Sequence, residues 1–321
     1  MAFRTWFTVL ALAGCSLACS SGPQIVICEQ AEARIAILDA ESEWSDPEAL
    51  VWEWRARETA SLDQKERAWF EHPTDAKPVL GGDYLLITAS GGGVALLRIR
   101  DQALLFHAYA GGNPHSAELM PDGAIVTASS TGSQLQLWRL EQATQPVQTV
   151  ALSDAHGVAW DPQTARLWAL GDRELVALSY LGKDAAAPLQ IVERFELPMP
   201  GGHDLSRDRR GSLLLSTHTS CFRFDPVGAQ FWEIPELSGV HDVKSISEAQ
   251  HLPKGLPTLY VRAATSWWND TIESLQPEWQ RQLAGSQIYK VRWMFKAPAP
   301  RREPRLEIGV GFGFWLGVDP D

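Results

Sequence analysis

Four stretches of this chain follow one pattern, and a motif that recurs about every forty residues restricts the fold to a few repeat architectures. They read "HSAELMPDGAIVTASST" from His115, "HGVAWDPQTARLWALGD" from His156, "HDLSRDRRGSLLLSTHT" from His203, and "HDVKSISEAQ" running on to "LPTLYVRAATS" from His241. The four histidines lie 41, 47 and 38 residues apart. Each unit opens with the histidine and a short alternating stretch, then turns at Pro, Asp or Gly. A β-rich run follows ("AIVTAS", "RLWALG", "SLLLST", "TLYVRAA"), then a polar turn and a third run ("QLQLWRL", "ELVALSYL", "CFRFDP", "QIYKVRW"). A last extended segment such as "PVQTVAL" or "AQFWEIPEL" closes the unit. Four short strands per repeat is the make-up of a propeller blade. Apolar positions alternate at period two, which excludes an all-helical fold.

The same template fits "TDAKPVLGGDYLLITASGGGVALLRIRDQALLFHAY" from Thr74. Before it, "QIVICEQAEARIAILD" and "ALVWEWRA" supply the second, third and fourth strands of a blade that lacks its first. At the other end of the chain, "GFWLGVDP" at 313–320 resembles "HGVAWDP", with Phe314 in the histidine slot. The expectation is an all-β, six-bladed β-propeller over residues 24–321, its first blade completed by the C-terminal strand. Such closure leaves no open edge. Two insertions, 55–73 and 269–286, are expected to hold short helices, and "KAPAPRREPR" at 296–305 reads as a solvated loop.

In a propeller the first strand of each blade lines the central channel, so a residue repeated at its start forms a ring around the axis. The ring positions are Phe314, Thr74, His115, His156, His203 and His241. Two readings of the histidines stand side by side. They pin the blades by hydrogen bonds, or they converge on a divalent metal (Mn, Zn or Ca), with Asp204 and Asp242 as outer carboxylates. A polar, carbohydrate-like ligand polarised by the same imidazoles is the related alternative. Lys77 and Lys244, three residues after their ring positions, are expected near the channel mouth. His218, Trp267, Trp268 and Asn269 are expected on the same rim. No Ser-His-Asp or paired-carboxylate set can be assigned from spacing, and no nucleotide cofactor is indicated.

The charge balance, 28 Lys and Arg against 39 Asp and Glu, lacks the basic footprint of a nucleic-acid binder. The chain opens with "MAFRTWFTVLALAGCSLACSSGPQ". One arginine precedes an apolar run too short to span a bilayer, which ends in Leu12-Ala13-Gly14-Cys15. That ending resembles a bacterial lipobox and implies a signal peptide over 1–14, lipidation at Cys15 and a tether over 15–23. Cys19 is the poorer second candidate, and an ordinary signal peptide is the alternative. Ser16 after the cysteine implies outer-membrane sorting, with the protein lipid-anchored in the cell envelope facing periplasm or surface. Cys28 and Cys221 fall in blades that do not touch, so free buried thiols are expected. The 14 tryptophans suit inter-strand packing or sugar binding.

The pieces "HSAELMPDG", "HGVAWDP", "RLWALG", "GGHDLS" and the later "WW" resemble a family of secreted bacterial six-bladed propellers of unassigned function. The resemblance spans about Gln24 to Asp321 and implies fold and blade register. More distantly the chain is similar to gluconolactonase-type propellers, streptogramin lyase and oligogalacturonate lyase, which implies a metal or catalytic histidine at the channel mouth. A histidine-rich ring departs from the gluconolactonase pattern and sits closer to the oligogalacturonate lyase one. The functions to be tested are therefore a metal- or carbohydrate-binding site with lyase-type chemistry, and a non-catalytic scaffold that engages an envelope protein. The chain is expected to be a monomer.

Overall fold

The computed structural model describes residues 22–249, 255–264 and 266–294. They form six four-stranded antiparallel sheets arranged as the blades of a propeller. The innermost strands, in ring order, are Ile288–Trp293, Pro73–Val79, Pro114–Leu119, Gly157–Asp161, Asp204–Arg207 and Val243–Ser247. Each touches its neighbours around the axis. All six run the same way, so their starts share one mouth of the channel and their ends the other.

Blade 1 takes its inner strand from the far end of the described chain. Ile288–Trp293 pairs with Gln24–Glu29, placing Ile25 opposite Trp293 and Ile27 opposite Val291. C-terminal closure is therefore present, but the strand is "IYKVRW" and not "GFWLGVDP". Phe314 and the segment 313–320 lie outside the described residues, as do 296–305 and the leader with Cys15 and Cys19. The alternation of "QIYKVRW" suits a third strand or an inner one equally well. Burial decides between them: all six residues of Ile288–Trp293 are buried, as an inner strand flanked by two blades requires.

Blade 6 then draws its third and outer strands, Thr271–Leu275 and Trp279–Gln282, from the segment expected to be a helical insertion. Its sequence is rich in Glu and Gln, which hides the alternation. The other insertion does hold a helix, Gln64–Ala68, whose N-terminus carries a reciprocal Asp63–Glu66 capping box.

Among the described residues, apolar side chains gather into six clusters, one at each seam between blades. Val26 and Ile35 of blade 1 meet Leu85 and Ile87 of blade 2, and Trp168 of blade 4 meets Phe224 of blade 5. Each such side chain contributes about 1.5–3 kcal/mol by leaving water. Most of the stability thus lies between blades, which holds the inner strands in fixed relation to one another. Cys28 and Cys221 are free and buried in blades 1 and 5, and burial pushes both thiols up, so neither is a ready nucleophile.

Candidate functional site

The channel is closed at mid-depth by charge. Asp75 and Asp204 project from the inner strands of blades 2 and 5, and Lys290 and Arg292 from that of blade 1. Arg292 Nε and Nη2 donate to the two oxygens of Asp75 at 3.0 Å each, and Nη1 donates to Asp204 Oδ2 at 2.8 Å. Lys290 Nζ donates to Asp204 Oδ1 at 2.8 Å and to the His115 carbonyl at 3.2 Å. All four side chains are buried. Burial opposes ionisation of the two acids, but Arg292 and Lys290 outweigh it and hold both below the usual carboxylate range. Asp204 therefore serves this layer and is not a carboxylate behind His203. The signals of this layer were an Asp directly after the ring position in blades 2 and 5, and two alternating cations in "IYKVRW".

Above this layer the ring positions diverge. Thr74 is buried, its hydroxyl donating to the Pro114 carbonyl at 2.6 Å and lying 2.9 Å from the Thr88 hydroxyl, so it joins blades 2 and 3. His115 is buried with Nδ1 2.9 Å from the Tyr289 hydroxyl, and Tyr289 occupies the slot expected for Phe314. His156 Nδ1 donates to the Asp154 carbonyl at 2.9 Å, leaving Nε2 with its lone pair. The rings pass from His115 to His156 to His203 with centroids 4.3 and 5.3 Å apart, and on to His218 at 4.5 Å. Burial lowers the pKa of His115, His156 and His203, the last to about 2, so all three are neutral imidazoles at pH 7.

His241 does not join them. It is exposed, and Asp242 after it adopts φ 55°. The pairing of Val243–Ser247 with its neighbour also slips between Val243 and Ser245. The same slip occurs around Tyr289, Thr74 and His115 in blades 1, 2 and 3, so in blade 6 the ring slot falls to Lys244, three residues past His241. Lys77 is likewise misplaced by the sequence reading. It lies toward the other mouth, where Nζ donates to Glu118 Oε2 at 3.0 Å.

His203, His218 and Asp242 come together. His203 Nε2 lies 3.0 Å from His218 Nδ1, while Asp242 Oδ1 is 3.9 Å from the first nitrogen and 3.6 Å from the second. A triangle with those edges has its centre about 2 Å from each corner, and zinc–imidazole bonds are about 2.0–2.1 Å long. Lys244, buried beneath, places Nζ 3.2 Å from His203 Nε2 and 3.4 Å from Asp242 Oδ1. One imidazole lone pair is thus approached by two groups. The backbone is shaped for this: a Cβ on Gly201 would fall 1.9 Å from the His218 ring, and its φ of 82° suits glycine. The "GGH" of blade 5 therefore makes room for the second histidine. Trp267, 55 % exposed, bonds Gln30, whose amide donates to the Pro73 carbonyl beside Thr74; the indole therefore stands on this same face. Trp268 and Asn269 follow it, Asn269 bridging to Ile288 at the start of the closing strand.

A family model of unknown function, DUF6528, matches residues 21–301. The chain belongs to DUF6528. No curated protein matches it. Among solved structures, a protein of unknown function from Bacteroides caccae is similar over 85 % of this DUF6528 chain and 99 % of its own, with TM-score 0.56 and 13 % identity. Virginiamycin B lyase from Staphylococcus aureus is similar over 83 % of this chain and 82 % of its own, with TM-score 0.54 and 12 % identity. At such identities the likeness is one of fold.

Proposed function

We propose that this DUF6528 propeller binds a divalent transition metal at its histidine mouth, with His203, His218 and Asp242 as ligands, and there holds an acidic, carbohydrate-like molecule for lyase-type chemistry. The observation that carries the reading is the triangle of donor atoms, whose size suits a metal–nitrogen bond. Two imidazoles and a carboxylate favour zinc or manganese over calcium, which takes oxygen ligands. A bound ion also resolves the competition for the His203 lone pair. The ion would act as a Lewis acid on a carbonyl or carboxylate of the ligand. Beside it, His156 keeps a neutral Nε2 lone pair, its Nδ1–H held by the Asp154 carbonyl. Trp267 supplies a ring face at the rim. The fold shared with a lyase is an analogy only. His115 and His156, each with a protein partner at Nδ1, suit the blade-pinning role weighed beside the metal role. From the lipobox-like leader we place the protein in the cell envelope, anchored at Cys15 and acting as a monomer.

Elemental analysis of tag-free protein tests this. About one zinc or manganese per chain is expected, with none in a His203→Ala/His218→Ala variant. At a metal concentration 100 times Kd, binding raises stability by about 2.7 kcal/mol, read as a higher melting temperature in the native chain only. No metal in either protein, and no shift on adding one, would leave a metal-free mouth in which the Lys244 ammonium bridges His203 and Asp242. A second variant probes that competition. Lys244→Met removes a cation bound to two of the three ligands and should tighten zinc binding about tenfold, or ~1.4 kcal/mol. Unchanged affinity would mean that lysine and metal do not share the site.

A further inference from the structure

The inner strands end, on the far side of the Asp75–Asp204–Lys290–Arg292 layer, in a cavity of about 420 Å³. That volume lies within the range of small-molecule sites. Met120, Trp160 and Trp293 contribute its apolar walls. Its cations are already engaged. The five N–H groups of Arg292 point at Asp75, Asp204 and the Ile246 carbonyl. Lys77 is held by Glu118 and the Val158 carbonyl, and Arg207 by Asp161 at 3.0 Å. Among the described residues, each cation lining the cavity already has an acidic partner.

What remains open is acceptor capacity beside a ring face. Glu118 uses Oε2 for Lys77, and among the described residues its Oε1 has no partner. Glu248 lines the same cavity; its Oε1 accepts from Arg223 at 3.0 Å and Thr258 at 3.4 Å, and its Oε2 only from the Arg209 N–H at 3.4 Å, so a lone pair of Oε2 is still open. Trp160 is set edge-to-face against Tyr180, with centroids 6.2 Å apart, and the Tyr180 hydroxyl is anchored on Asp122 at 2.7 Å. The indole is therefore oriented before any ligand arrives. A rigid aromatic face next to carboxylate acceptors, with the positive charge spent, matches the C–H face and hydroxyl edge of an uncharged sugar.

We propose that this second mouth is a binding site for a neutral saccharide, stacked on Trp160 with hydroxyls donating to Glu118 and Glu248. It is distinct in ligand charge and in residues from the histidine mouth, and does not depend on a metal there.

Titration of the full chain with methyl glucoside, maltose and cellobiose, followed by tryptophan fluorescence and calorimetry, tests the assignment. At least one should bind with Kd below about 10 mM, a free energy of roughly −3 kcal/mol. Glu118→Gln should weaken that binding at least tenfold, and so should Trp160→Ala. His203→Ala/His218→Ala should leave it unchanged. If Trp160→Ala fails to fold, Glu118→Gln alone decides. The proposal is overturned if none of the three sugars binds, if binding survives Glu118→Gln, or if it disappears with the two histidines. Preferential binding of indole or of a glucuronate would also overturn it, since either would give the cavity another ligand class.

Discussion

Replacing Arg292 with methionine should cost about 3–5 kcal/mol, the usual penalty for removing one partner of a buried ion pair. The guanidinium is the hub of the central layer, reaching Asp75 and Asp204 on two different blades. Without it, two buried carboxylates share one ammonium, Lys290, which lies 2.8 Å from Asp204 and 3.8 Å from Asp75. The change should appear as a lower urea midpoint. Adding Asp75→Asn to Arg292→Met should recover part of the loss, because it removes the acid left with the weaker contact. A loss under about 1 kcal/mol, the scale of an exposed ion pair, would show that the layer does not hold the blades together.

The second large effect is acid lability that begins well above the carboxylate range. His115, His156 and His203 have folded-state pKa values lowered chiefly by burial. Below about pH 6.5, the ordinary histidine value, the unfolded chain takes up protons that the folded chain refuses. Proton uptake is then greater in the unfolded state, so stability falls as pH falls. The loss starts near the unfolded value and continues toward the folded ones. Each fully affected histidine contributes up to about 1.4 kcal/mol per pH unit. Urea midpoints measured between pH 7.5 and 5 with a chelator present should therefore drop steeply, and His115→Gln should flatten the slope. A curve that stays level to pH 5 would mean that these rings protonate in place.

The blade count and the shared mouth of His115, His156 and His203 were legible because they rest on period-two alternation and repeat register, both properties of the chain alone. What was hidden depends on contacts between distant segments. "QIYKVRW" carries the same alternation wherever it pairs, so only burial against two blades identifies it as the inner strand of blade 1. In blade 6 the pairing register gives the ring slot to Lys244 and leaves His241 three residues short of it, although the spacing of histidines looks regular. Lys77 sits three residues after its ring position, a distance along the strand that carries it past mid-channel. The charged layer was hidden because Asp75 and Arg292 are 217 positions apart and look like ordinary strand polar residues one at a time.

The pairing of Gln24–Glu29 with Ile288–Trp293 also sets an order on events during synthesis. Blades 2 to 6 can dock in sequence as they emerge, yet Asp75 and Asp204 stay without their cations until residues 290 and 292 leave the ribosome. Closing so long a loop is slow and entropically opposed. The nascent chain therefore carries two repelling acids at its future axis until the strand Ile288–Trp293 arrives. Completion of the ring waits on residues 288–293, and a chain stopped short of Lys290 lacks both its counter-charges and most of the strand that seals its first blade.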